Sequence, residues 1–85
     1  MGEKSLINGK RVLIVDDEPD VLESLEELLP MCYVEKASRF DEARELLEIQ
    51  YFDIAILDIM GVEGYKLLEI ANEKRVIAVM LTAHA

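Results

Sequence analysis

Residues 11–19 read Arg11-Val12-Leu13-Ile14-Val15-Asp16-Asp17-Glu18-Pro19, and this stretch decides the fold. Its apolar part is β-branched, too short for a helix and free of polar alternation, the pattern of a strand covered on both faces. Two aspartates end it. Pro19 then fits the first turn of a helix, preceded by acidic residues suited to cap it, so a buried strand runs straight into a helix.

Working outward, Val21, Leu22, Leu25, Leu28 and Leu29 recur at helical spacing until Pro30 stops the pattern, with Glu23, Glu26 and Glu27 on the wet face. Tyr33 to Ala37 predicts a short second strand. Ser38 followed by Asp41 resembles a capping box that opens a second helix, with Phe40, Ala43, Leu46 and Leu47 facing inward. Phe52 to Leu57 reads as a third strand, and Gly61 and Gly64 punctuate a loop. Tyr65 to Glu73 carries an apolar face of Leu67, Leu68, Ile70 and Ala71, and Val76 to Leu81 is an unbroken apolar fourth strand. The order β-α-β-α-β-α-β predicts an α/β fold, a doubly wound parallel sheet with right-handed crossovers and helices on both faces, because each strand must bury two apolar sides. In such sheets ligands sit beyond the carboxyl ends of the strands.

Composition narrows the function classes. The 85 residues allow one domain that buries about two-thirds of its unfolded surface. Hydrophobic residues at 52% against charged ones at 32% fit a packed domain and exclude a disordered tail. The net charge of -9 repels nucleic acid backbones and anionic membranes, so neither is an expected partner, and it favours cations and basic protein surfaces. Cys32 is the only cysteine, which excludes an internal disulfide or a cysteine-built metal site and suits a reducing compartment; its own expected role is that of a small buried hydrophobe. Residues 1–10 read as a loose polar leader without the apolar run of a signal peptide, and Leu6 occupies the place where a myristoylation motif needs Ser or Thr. No apolar stretch approaches membrane-spanning length, and the cytoplasm is the expected location.

The chemistry lies at strand ends. Asp16 and Asp17 end strand one, Asp58 follows the apolar part of strand three and Thr82 ends strand four, so all four fall on one carboxyl edge. Taken singly, each has a plain structural role: Asp16 and Asp17 as helix caps, Asp58 as a turn residue, Thr82 as a local hydrogen-bonding group. Taken together, three carboxylates within a few ångströms repel one another unless protons or a cation intervene. Carboxylate oxygens with a backbone carbonyl and waters suit Mg²⁺, which takes its remaining ligands from phosphate oxygens. An aspartate beside such an ion can attack phosphorus and form an acyl phosphate, and Thr82 can donate a hydrogen bond to the transferred group.

Three separated motifs in the right order now carry a resemblance. Val12-Leu13-Ile14-Val15-Asp16-Asp17-Glu18-Pro19, Phe52-Asp53-Ile54-Ala55-Ile56-Leu57-Asp58-Ile59-Met60 and Val79-Met80-Leu81-Thr82-Ala83 are similar to those of response-regulator receiver domains. The resemblance spans almost the whole chain. It implies a flavodoxin-like receiver fold over residues 11–85 that stops at Ala85, short of its last strand and flanking helices. It further implies that Asp58 is the phosphorylated aspartate, that Asp17 binds Mg²⁺ with Asp16 helping directly or through water, and that the Met60 carbonyl completes the protein ligands. Thr82 would follow the phosphoryl group on activation, and Met60 and His84 would influence how long the acyl phosphate survives. Lys66, Lys74 and Arg75 read as solvated helix and loop charges.

On this reading a sensor histidine kinase donates phosphate to Asp58, and the domain is a substrate that assists its own modification, not an enzyme. A Mg²⁺-dependent phosphatase would need a general acid and a substrate pocket that the sequence does not offer. A docking module that has lost phosphotransfer and binds a kinase or a partner receiver is the alternative. Residues 76–81, ending the sheet with no charge inside the strand, are expected to seek a partner, including a second copy.

Overall fold

A computed structural model describes residues 8–58 and 63–81. Seven elements alternate as predicted: β1 (Arg11–Val15), α1 (Pro19–Leu28), β2 (Tyr33–Ala37), α2 (Phe40–Ile49), β3 (Ile54–Asp58), α3 (Gly64–Glu73) and β4 (Ile77–Leu81). The four strands form one sheet in the order β2-β1-β3-β4, and every neighbouring pair is parallel. The architecture is the expected doubly wound parallel α/β sheet.

Strand β1 earns its central place by having no polar residue after Arg11. Residues alternate across a strand, so Val12 and Ile14 face one layer while Leu13 and Val15 face the other, and all four are buried. On one side Leu13, Val15, Ala55 and Leu57 pack with Ala43 and Leu47 of α2, Leu67 and Ala71 of α3, and the fully buried Phe52. On the other, Val12 and Ile14 pack with Leu22 of α1, joined by the partly buried Leu25, Leu29, Cys32, Val34, Ile54 and Ile56.

Several local expectations need correction. Leu28 is 70% exposed, because a helix this short needs only one stripe to meet the sheet and Leu22 and Leu25 supply it. Glu18, not Asp16 or Asp17, is the N-cap of α1, and its side chain caps nothing. The N-cap of α2 is Arg39, and the carboxylate that reaches back, at 3.0 Å from the Ser38 N–H, is that of Glu42 instead of Asp41. Phe52 anchors the core but precedes β3, which starts at Ile54 and takes in Asp58 as its last residue. Cys32 is half-buried. Finally, β4 does not bury both faces: Ile77 and Val79 are 66% and 44% exposed, and among the described residues the core on their side stops at β3. No helix among the described residues is long and apolar enough to cross a membrane.

Candidate functional site

The register aligns the ends of three strands. Val15 lies level with Ala37 on one side and Leu57 on the other, and Asp58 lies level with Leu81. Asp16 and Asp58 therefore leave adjacent strands at the same height. The Asp16 N–H donates to the Ala37 carbonyl at 3.1 Å, which extends the ladder one residue past β1 and fixes the Asp16 backbone. Its Oδ1 in turn accepts the Glu18 N–H at 2.9 Å, a side-chain turn that steers the chain out of the strand. The Glu18 carbonyl then accepts the N–H groups of Val21 and Leu22 and starts α1. One aspartate thus ends the strand, shapes the turn and still presents a carboxylate to the carboxyl edge.

Asp16, Asp17 and Asp58 each offer a carboxylate oxygen, and these atoms lie within 4.8 Å of one another. Asp16 and Asp58 are each only 8% exposed, whereas Asp17 faces solvent. Burial pushes the Asp16 carboxyl above its ordinary range; the Glu18 N–H pulls it back, and the charges of Asp58, Asp17 and Glu18 push it up again. Two unit charges at that outer limit of 4.8 Å repel by about 1 kcal/mol in water and by about 3.5 kcal/mol at an effective dielectric near 20. The cluster therefore stores electrostatic tension that a proton or a cation relieves.

The donor set fits a hard divalent ion. Mg²⁺ holds oxygens at about 2.1 Å, so two direct ligands stand at most about 4.2 Å apart. An oxygen triad reaching 4.8 Å is then one small side-chain rotation, or one bridging water, from ligation. Such water-rich coordination is the usual habit of Mg²⁺.

Of the residues singled out from sequence, the structure brings Asp16, Asp17 and Asp58 together. Met60, Thr82 and His84 lie outside the described residues. Lys66 pairs with Glu63 at 3.0 Å, and Lys74 and Arg75 are exposed after the far end of α3. Sequence reasoning missed the Glu18 N–H as the group that orients Asp16. The available signal was an aspartate two residues ahead of a pre-proline position, the spacing of a side-chain turn.

Comparison with known proteins points the same way. The family model described as response regulator receiver domain matches residues 12–85. The two-component response regulator ARR18 of Arabidopsis thaliana is 42% identical over 83 residues, covering 91% of this chain and 13% of that protein. The probable transcriptional regulator ycf27 of Cyanophora paradoxa is 33% identical over 82 residues, covering 91% of this chain and 34% of that protein. Among solved structures, a CheY-like response regulator receiver domain protein from Methanospirillum hungatei superposes with a TM-score of 0.82 at 35% identity, covering 91% of this chain and 66% of that one. The chain spans roughly an eighth to a third of these two curated relatives.

Proposed function

Because the chain belongs to the response regulator receiver domain family, we propose that it accepts a phosphoryl group on Asp58 from a sensor histidine kinase, assisted by Mg²⁺ held by Asp17, Asp16 and Asp58. The observation that carries this reading is the triad of carboxylate oxygens within 4.8 Å at the carboxyl ends of β1 and β3. A bound divalent cation supplies charge neutralisation to the phosphoryl oxygens.

The chain's own residues do the rest. A carboxylate oxygen of Asp58 attacks phosphorus of the donor phosphohistidine; the P–N bond breaks, its electron pair stays on the imidazole nitrogen, and Asp58 becomes an acyl phosphate. Asp16, fixed by Ala37 and Glu18, holds its oxygen in place beside Asp58. The Met60 carbonyl and the Thr82 hydroxyl are assigned ligand and phosphoryl-binding roles on family resemblance. The domain is in this reading a signalling substrate of the cytoplasm, and the kinase, not the receiver, is the enzyme.

The test is intact-mass spectrometry after incubation with Mg²⁺ and a small-molecule phosphodonor. A single labile phosphoryl adduct, absent from Asp58→Asn and from a metal-free control, is expected. A folded chain that takes no adduct would sink the phosphoryl reading and favour a docking module that binds a kinase or a partner receiver without accepting phosphate.

A further inference from the structure

The three helices do not begin alike. Glu18 and Arg39, the N-caps of α1 and α2, are extended, with φ of -106° and -138°, as N-cap residues ordinarily are. Glu63, the N-cap of α3, is left-handed instead, with φ 54° and ψ 51°. Glycine adopts that backbone freely, and asparagine or aspartate can support it with a short side chain bonded locally, but glutamate has neither advantage. No side-chain hydrogen bond caps α3, so capping does not explain the conformation. A strained residue of this kind points to a demand made by its surroundings, and such residues cluster at functional sites.

The surroundings are the acidic edge. Residues 59–62 alone separate Glu63 from Asp58, while the Glu63 carbonyl accepts the N–H groups of Lys66 and Leu67, at 3.0 and 3.2 Å, and starts α3. Gly64 and Leu67 are buried, which presses the first turn of α3 into the core and leaves Glu63 to take up the change of direction. Its carboxylate meets the Lys66 ammonium one turn along, with Oε1 3.0 Å from Nζ. The same ammonium lies 5.9 Å from the centre of the Phe40 ring. Phe40 opens α2 and packs against the core, shortly after Ala37, whose carbonyl holds the Asp16 N–H. One cation therefore links the chain that leaves Asp58 to the chain that anchors Asp16, and these two aspartates are the buried members of the cluster.

We propose that Lys66 is a positioning residue for the cation site: held between the Glu63 carboxylate and the Phe40 ring, it keeps Glu63 left-handed and so sets the path of the chain out of Asp58. The inference rests on the reading of Asp16, Asp17 and Asp58 as a Mg²⁺ site and adds a residue that acts on that site through the backbone. An exposed ion pair and an exposed cation–π contact each contribute little to folding, and both members of the Glu63–Lys66 pair are exposed. The arrangement is therefore poorly suited to stabilising the fold and well suited to biasing one loop end toward a single backbone conformation. Its electrostatic signature is separable. A lysine near an acidic cluster repels a cation, so neutralising it should tighten Mg²⁺ binding if charge is all that it supplies. Positioning demands the opposite sign.

The test is a Mg²⁺ titration of the whole 85-residue chain, read from the amide shifts of Asp16 and Asp58, with urea unfolding in parallel. Lys66→Met keeps an aliphatic stem and removes the charge. It should weaken Mg²⁺ binding about threefold, the scale of an exposed pair, at an unchanged urea midpoint. Lys66→Arg, which pairs with carboxylates and stacks on rings, should restore the affinity. In a Glu63→Gly background, where glycine takes the left-handed backbone without help, Lys66→Met should weaken binding no further. Unchanged or tighter binding by Lys66→Met overturns the inference and leaves the cation reading standing. So does a loss that Lys66→Arg fails to restore, one that persists in full in the Glu63→Gly background, or one matched by a fall in the urea midpoint, the mark of a purely structural residue. A native chain without saturable Mg²⁺ binding removes the cation reading and this inference with it.

Discussion

At the amino ends of the strands, polar groups find hydrogen-bond partners on the spot. The Arg11 N–H donates to Asp53 Oδ2 at 2.9 Å, the Asp53 N–H donates back to the Arg11 carbonyl at 2.9 Å, and the Asp53 carbonyl accepts the Ile77 N–H at 3.1 Å. The Arg11 guanidinium bonds the Tyr51 carbonyl at 2.9 Å and the Gln50 side chain, and lies over the ring of Phe52. At the carboxyl ends, 5 residues further along β3, Asp58 joins Asp16 and Asp17 in a cluster of like charge. The first arrangement ties three strands together and lowers the energy of the fold; the second raises it, a cost that the proposed cation site would explain. Stability and the proposed chemistry are thus segregated to opposite ends of one sheet, and each end should fail in its own way when cut.

The largest effect should come from Phe52→Ala. Phe52 is fully buried, and truncating such a ring costs about 3–5 kcal/mol. A domain of this length has only about 4–13 kcal/mol to lose. Urea unfolding should show a sharply lowered midpoint, and a chain already unfolded if the starting stability lies at the low end of that range. Asp58→Asn, at the other end of the same strand, should leave the urea midpoint unchanged or raised while removing every trace of phosphoryl adduct. A loss of stability from Asp58→Asn comparable to that from Phe52→Ala would erase the division between the two ends.

Asp16→Asn sharpens the contrast from the carboxyl side. Asparagine keeps an oxygen for the Glu18 N–H and removes the repelling charge, so metal-free stability should rise by about 1 kcal/mol, as charge optimisation commonly gives, while Mg²⁺ affinity falls. The pH dependence has a definite sign. A carboxyl raised above 3.8 in the native state binds its proton more tightly there than in the unfolded chain. Its contribution to stability is complete below the ordinary aspartate range and is lost as pH rises through the elevated native value. At neutral pH Asp16 is therefore a cost, and under the proposed function bound Mg²⁺ would offset it, by about 2.7 kcal/mol when the ion stands at 100 times its dissociation constant. Thermal shifts on adding Mg²⁺ should be large at pH 7 and vanish as pH falls through the native Asp16 value; a shift independent of pH would contradict this coupling. Asp53→Ala, which cuts one exposed bond of the amino-end network, should cost about 1 kcal/mol and leave Mg²⁺ affinity alone.

Much of this was legible in the residues themselves. Val12 to Val15 could only be a strand buried on both faces, and the alternation of such runs with helical spacing left few topologies open. The acidic cluster followed, because residues that end parallel strands share an edge whatever the loops do. What escaped was set by tertiary context. Whether Ser38 or Arg39 caps α2 depends on where the chain leaves β2, and the exposure of Leu28, Ile77 and Val79 depends on how far one helix reaches across a sheet. The turn that fixes Asp16 was hidden for a different reason: its partner is a backbone N–H, which Glu18 shares with almost every other residue.

The most direct test of the segregation is a Mg²⁺ titration of the ¹⁵N-labelled chain followed by amide chemical shifts. The account predicts saturable changes concentrated at Asp16, Asp17, Glu18 and Asp58, with Arg11, Asp53 and Ile77 at the amino ends unmoved and the same titration of Asp58→Asn markedly weakened. Weak, unsaturable changes spread over Glu23, Glu27 and the other exposed acids of α1 would show a diffuse cation atmosphere instead of a site, and would contradict the claim that the carboxyl ends of β1 and β3 are built to hold an ion.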